Sequence, residues 1–182
     1  MAHCDGQVST VGQWPPFGPN TPALLLRLIQ NDKDIFLQGR RAESLNLGIG
    51  AYAYYRRVVE NEKDRLFEKI INVARQLKVA PEIIAKLEAA KTQQQFKQAF
   101  ADAKDAIPEA LKIDGYNPLT LLHSATSKGI HEMSDAECLQ RAQDIRLVLV
   151  ALAERMSAVT KENAALKAAL GRLASGLSSP SA

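Results

Sequence analysis

A chain of 182 residues, 46% hydrophobic and 24% charged, is long enough for one domain with its own core plus an extension, which argues against two independent domains. Its net charge of +3 comes from 23 basic and 20 acidic residues scattered without blocks; that excludes a strong nucleic-acid footprint while leaving room for a local basic patch. The longest apolar run, residues 147–153, is far short of the roughly 18 residues that span a bilayer, and the N-terminus has no charged-then-apolar leader pattern, so a cytoplasmic protein without membrane contact is expected.

Residues 1–20 hold Gly6, Gly12, Gly18, Pro15, Pro16 and Pro19 and read as a non-helical, proline-rich arm. His3 and Cys4 supply two ligands where a closed zinc site needs about four, so no metal is expected. Cys4 and Cys138 are the only cysteines and make no disulfide framework, in keeping with a reducing compartment. Trp14 and Phe17 among the prolines read either as anchors against a helical body or as an exposed hook for a partner.

Asn20 or Thr21 before Pro22 starts a first helix, expected to reach about residue 38 with Leu24, Leu25, Leu28, Ile29, Ile35 and Phe36 buried and Gly39 ending it. A long second helix is expected from about 41 to 77. Its stripe is Tyr52, Tyr55, Val59, Leu66, Ile70, Val73 and Leu77, interrupted by Glu62, with Gly48 and Gly50 marking a close crossing or a kink. Pro81 opens a short helix. Thr92 with Gln95 reads as a capping box for the next, faced by Phe96, Ala99, Phe100, Ala103 and Ile107 and stopped by Pro108. Asn117-Pro118 starts another, from 119 to 128, closed by Gly129. Ser134 and Glu137 form a capping box in front of more than forty helical residues. The fold class is therefore all-α: a bundle of five to six helices over residues 21–156, a coiled-coil extension over 157–177 and a disordered tail at 178–182.

Leu149, Leu152, Met156, Val159, Asn163, Leu166, Leu170, Leu173 and Leu177 alternate steps of three and four, a heptad seam. With Leu149 at position a, Asn163 also falls at a, where two copies pair best in a parallel, in-register dimer; Glu162 at g and Lys167 at e then have the spacing of an interchain ion pair. The expected partner is thus a second copy of the chain, through Met156, Val159, Asn163, Leu166, Leu170 and Leu173. Residues 149–156 are apolar all round and read as core; beyond 157 only the narrow stripe remains.

Polar candidates for chemistry are few. His123 and His131 flank the turn at 128–130, and Arg56 with Glu60, like Arg57 with Asn61, share a helix face four residues apart. A histidine beside a cation has the parts of a metal-independent ribonuclease: His131 as base, Arg56, Arg57 or Lys128 against phosphate, Glu60 as orienting group. A capping or solvated histidine and a surface ion pair are the plainer alternatives. No cofactor is expected.

The stretch Gly48-Ile-Gly-Ala-Tyr-Ala-Tyr-Tyr-Arg-Arg-Val-Val-Glu60, with Ser127-Lys-Gly-Ile-His-Glu-Met-Ser-Asp-Ala-Glu-Cys-Leu139, resembles an uncharacterised family of bacterial all-helical proteins carrying GIGAxxYxRRxxE and SxGIHExSxxEC in that order. The likeness runs over residues 11–156 and takes in Gly12-Gln-Trp-Pro-Pro-Phe17. More loosely, the arrangement is similar to the HEPN-like helical domains of prokaryotic defence and toxin–antitoxin proteins, in which a histidine after a glycine-containing turn follows an arginine by a few residues. That likeness places His131 at the histidine and leaves the arginine unmatched, since Ala125, Thr126 and Ser127 stand there and Lys128 comes only three residues before His131. The resemblance implies a bacterial defence or stress setting. It allows two functions: a non-enzymatic homodimeric module that binds another protein or RNA, or a HEPN-type ribonuclease whose missing arginine comes from the second copy across a dimer cleft.

Overall fold

The computed structural model describes residues 2–4, 7–9 and 20–177. Among them the fold is all-α, with eight helices and one antiparallel pair of three-residue strands, β1 (Ala2–Cys4) and β2 (Gln7–Ser9). Trp14, Phe17 and the tail at 178–182 lie outside the described residues, and with them the expected roles of the arm and the tail. No described helix is long and apolar enough to cross a membrane.

The single first helix expected over 22–38 is two, α1 (Ala23–Leu28) and α2 (Lys33–Ser44), parted by a 3-10 turn at Gln30–Asp32. Glu62, 2% exposed, explains the break: its carboxylate accepts from the backbone N–H of Asn31 at 3.1 Å and Asp32 at 3.2 Å. The same residue that interrupts the apolar stripe satisfies the donors of a turn thirty residues upstream. Gly39 does not end the helix. It lies inside α2 because an added Cβ would sit 2.5 Å from the Tyr55 ring, so the glycine permits a close crossing. The helix stops instead at Asn46, which takes φ +56°: Asn46 N–H bonds Glu43 O at 3.0 Å and Leu47 N–H bonds Ala42 O at 2.9 Å, the paired bonds of a left-handed C-terminal cap.

The expected 41–77 helix is likewise divided. Its parts beyond the end of α2 are α3 (Gly48–Asn61) and α4 (Lys63–Gln76), which meet at Glu62, and Lys78 at φ +55° closes α4 as Asn46 closes α2. Pro81 opens α5 (Pro81–Thr92) as expected. Thr92 does not cap the next helix: α5 runs through it, and its hydroxyl donates back to Ala89 O at 2.7 Å. The following helix, α6 (Phe96–Asp102), is shorter than expected. Asn117 does cap α7 (Pro118–Thr126), accepting from Leu119 N–H at 2.8 Å, while Gly129 precedes a 3-10 turn, Ile130–Glu132, and does not close the helix. Ser134 and Glu137 form the expected reciprocal box, Ser134 N–H to Glu137 Oε2 at 2.8 Å, ahead of α8 (Asp135–Leu177).

Helix α8 is the spine. Helices α1, α3, α4 and α7 lie against it, α2 packs on α3, α5 packs on α4, and α6 packs on α5 and α7. The core joins Phe36 stacked on Tyr55 (centroids 4.8 Å) to Phe67 edge-on to Phe100 (5.6 Å), with Leu149 and Leu152 of α8 fully buried beneath. Body contacts on α8 reach past the expected boundary at 156: Met156 is 7% exposed, Val159 is half-buried, and Asn163 Nδ2 donates to Gln76 O at 2.9 Å. Beyond Asn163 the stripe residues Leu166, Leu170 and Leu173 are exposed by 58%, 55% and 67%.

Candidate functional site

Residues 48–60 and 127–139 meet in space. Helix α3 begins at Gly48, and its first N–H groups have no intrahelical acceptor. Asp135, first residue of α8, supplies one: its carboxylate accepts from Ile49 N–H at 2.8 Å and Gly48 N–H at 3.1 Å. A negative group at a helix N-terminus also complements the helix dipole. Only glycine fits at 48, because a Cβ there would run into the Asp135 backbone oxygen and stand 2.7 Å from Leu139 N. Of the two readings of the glycine pair, close crossing holds at Gly48.

One and two turns further along the same face of α3, Tyr52 and Arg56 reach the turn after α7. The Tyr52 hydroxyl donates to Lys128 O at 2.8 Å, and Arg56 Nη1 donates to the same oxygen at 3.4 Å. Burial pushes the Tyr52 phenol above its ordinary value, against the pull of the Arg56 and Arg141 charges, so it acts as a neutral donor. Arg56 Nε also donates to Glu60 Oε1 at 2.8 Å, and that bond raises the guanidinium above its ordinary value. From α8, Arg141 Nη1 caps the carbonyl end of α7, at 3.3 Å from Ser124 O and 3.5 Å from Ala125 O. Cys138 is fully buried between them; burial, then the charges of Asp135 and Glu137, push its thiol up and keep it protonated.

The residues singled out for chemistry thus divide. Arg56, Glu60 and the Lys128 carbonyl come together. His131 sits three residues past that carbonyl in the 3-10 turn, exposed, with no hydrogen bond or ion pair among the described residues, and Arg57 is exposed in the same way. His123 is elsewhere, half-buried and stacked on Phe100 at 6.5 Å. Two surface grooves of about 410 and 430 Å³ open along α8, and neither is lined by Arg56, Glu60 or His131. Among the described residues no group of three or more His, Cys, Asp or Glu has the placement to hold a metal ion. Met156, Val159 and Asn163, expected at a dimer seam, face the chain's own body, and only Leu166, Leu170 and Leu173 of that set are left uncovered.

A second polar cluster gives no signal in the sequence. Glu43 of α2, 8% exposed at its side chain, accepts from Tyr55 Oη at 2.6 Å, Arg40 Nη1 at 2.8 Å, and Arg146 Nε and Nη2 at 3.1 and 3.0 Å. It ties α2, α3 and α8 together across 103 residues of sequence, a separation that leaves no spacing to read.

Two substitutions separate the joined groups from the exposed ones. Tyr52→Phe removes the stronger donor to Lys128 O and is expected to cost about 1 kcal/mol in urea unfolding. His131→Ala, with nothing to lose in the fold, is expected to stay within about 0.5 kcal/mol of the parent. A larger loss at His131 than at Tyr52 would contradict this division.

No protein-family model, no curated protein and no solved structure matches this chain.

Proposed function

We propose that the protein is a non-enzymatic helical module that works through self-association, a second copy of the chain covering the end of α8. The observation that carries this reading is the stripe Leu166, Leu170 and Leu173, exposed on a helix that has already left its own body at Asn163. A free helix of this length is marginal in water, and a regular exposed leucine stripe marks an interaction surface. Burying each leucine against another chain is worth about 1.5–3 kcal/mol. Arg56 and Glu60 support a structural role for residues 48–60 and 127–139, since their polar atoms serve each other and the Lys128 carbonyl. The rival proposal, a metal-independent ribonuclease, is favoured by one observation, the exposed imidazole of His131 beside that joint; RNA cleavage abolished by His131→Ala would establish it.

Light scattering tests the proposal. The full chain should have twice the 19.9 kDa of a single copy, and Leu166→Lys with Leu170→Lys should return it to a single copy while the circular dichroism of the body is kept. A single-copy mass for the unaltered chain at tens of micromolar overturns it.

A further inference from the structure

Resting on the self-association proposed above, we infer that the two copies pair antiparallel, tail against tail, and not in the parallel register that the heptad pattern by itself suggests. The reason is that one stripe of α8 has two uses. Its first half, Leu149, Leu152, Met156 and Val159, is covered by the chain's own helices, and Asn163 closes that half on the carbonyl of Gln76 at the end of α4. Its second half, Leu166, Leu170 and Leu173, is open.

In a parallel pair the second α8 would lie about 8–10 Å from the first at a crossing angle of about 20°. Followed back past residue 163, it would pass through the space that α4 and α1 occupy against the same stripe. Helix α8 runs unbroken from Asp135 to Leu177 and contains no proline, so no kink exists where the two helices would separate. The asparagine that argued for parallel pairing is also committed, since its amide already has a partner within the chain.

Reversing the partner removes the conflict, because the bodies then stand at opposite ends of the shared segment. Pairing a positions with d positions sets Leu170 against the partner subunit's Leu173, and the converse, with Leu166 level with residue 177 of the second copy. The two Asn163 residues fall about 25 Å apart along the axis at 1.5 Å per residue. Lys167 comes level with residue 176 of the second copy, so the two Lys167 side chains stand about 14 Å apart along the axis and do not face one another.

Spin labels on the full chain distinguish the orientations. Cys4→Ser leaves Cys138, which is buried and does not label, and a cysteine is then introduced by Glu154→Cys or Arg172→Cys, both outside the leucine stripe. Residue 172 is near the centre of the overlap and gives a short distance in either orientation. At residue 154 the antiparallel pair gives about 50 Å, and a parallel pair about 25 Å or less. A long distance at 154 with a short one at 172 is the expected result. Short distances at both overturn the antiparallel arrangement while leaving self-association standing; no coupling at 172 overturns self-association itself.

Discussion

Gly48→Ala should lower the unfolding free energy by about 3 kcal/mol, whereas Gly50→Ala, two residues away, should raise it by about 0.5–1 kcal/mol. The two glycines read alike in the sequence. At 48 the new methyl meets backbone, the Asp135 oxygen and the Leu139 nitrogen, and neither can move without displacing the first turn of α8. That displacement would also pull the Asp135 carboxylate off the N–H groups of Gly48 and Ile49, leaving the start of α3 uncapped. At 50 the nearest neighbour is the Ala42 methyl at 3.5 Å, an ordinary contact, so alanine brings only its better helix propensity. Urea unfolding of both variants gives the comparison directly. Equal effects at the two positions would mean that Gly48 is not there for the joint between α3 and α8.

The second large effect lies at Glu43. Replacing it by Gln leaves Arg40 and Arg146 beside each other with no counter-charge in a largely buried place, and should cost about 3–5 kcal/mol at neutral pH. Burial raises the Glu43 carboxyl, yet the hydrogen bonds from Tyr55, Arg146 and Arg40 together outweigh it and hold the group below its ordinary value near 4.5. A carboxyl held low in the folded state stabilises the fold above that ordinary value, and the contribution disappears as pH falls through the lower folded value. The parent protein should therefore lose stability below about pH 4.5 more steeply than Glu43→Gln does. Parallel slopes for the two proteins in urea melts between pH 7 and pH 3.5 would show that Glu43 is not held low.

What could be read from the sequence was local. Asn117, Pro81 and the Ser134–Glu137 box act on backbone groups within one turn, and each marks a helix start in the structure. The leucine spacing of α8 is equally local, and the helix is continuous. The misreadings at Gly39, Glu62 and Asn163 share one cause: a residue whose role is fixed by something far away in the chain. Gly39 has the sequence signature of a helix end, but the Tyr55 ring, sixteen residues on, decides it. Glu62 interrupts its own stripe in order to serve Asn31 and Asp32. Asn46 and Lys78 end helices in left-handed conformations for which the sequence offered no glycine. Asn163 sits where a coiled-coil asparagine should, and its partner turned out to be Gln76 of the same chain. At the candidate site the Arg56–Glu60 pair was legible from its spacing, whereas the grip of Asp135 on Gly48 spans 87 residues and that of Arg146 on Glu43 spans 103.

Hydrogen exchange along the end of α8 gives the most direct view of whether a second copy covers it. If it does, the amides of residues 166–177 should be protected, and their protection should rise with protein concentration while that of residues 145–156 stays constant. If those terminal amides exchange as fast as an unstructured peptide at every concentration, nothing covers the leucine stripe, and self-association through α8 is contradicted.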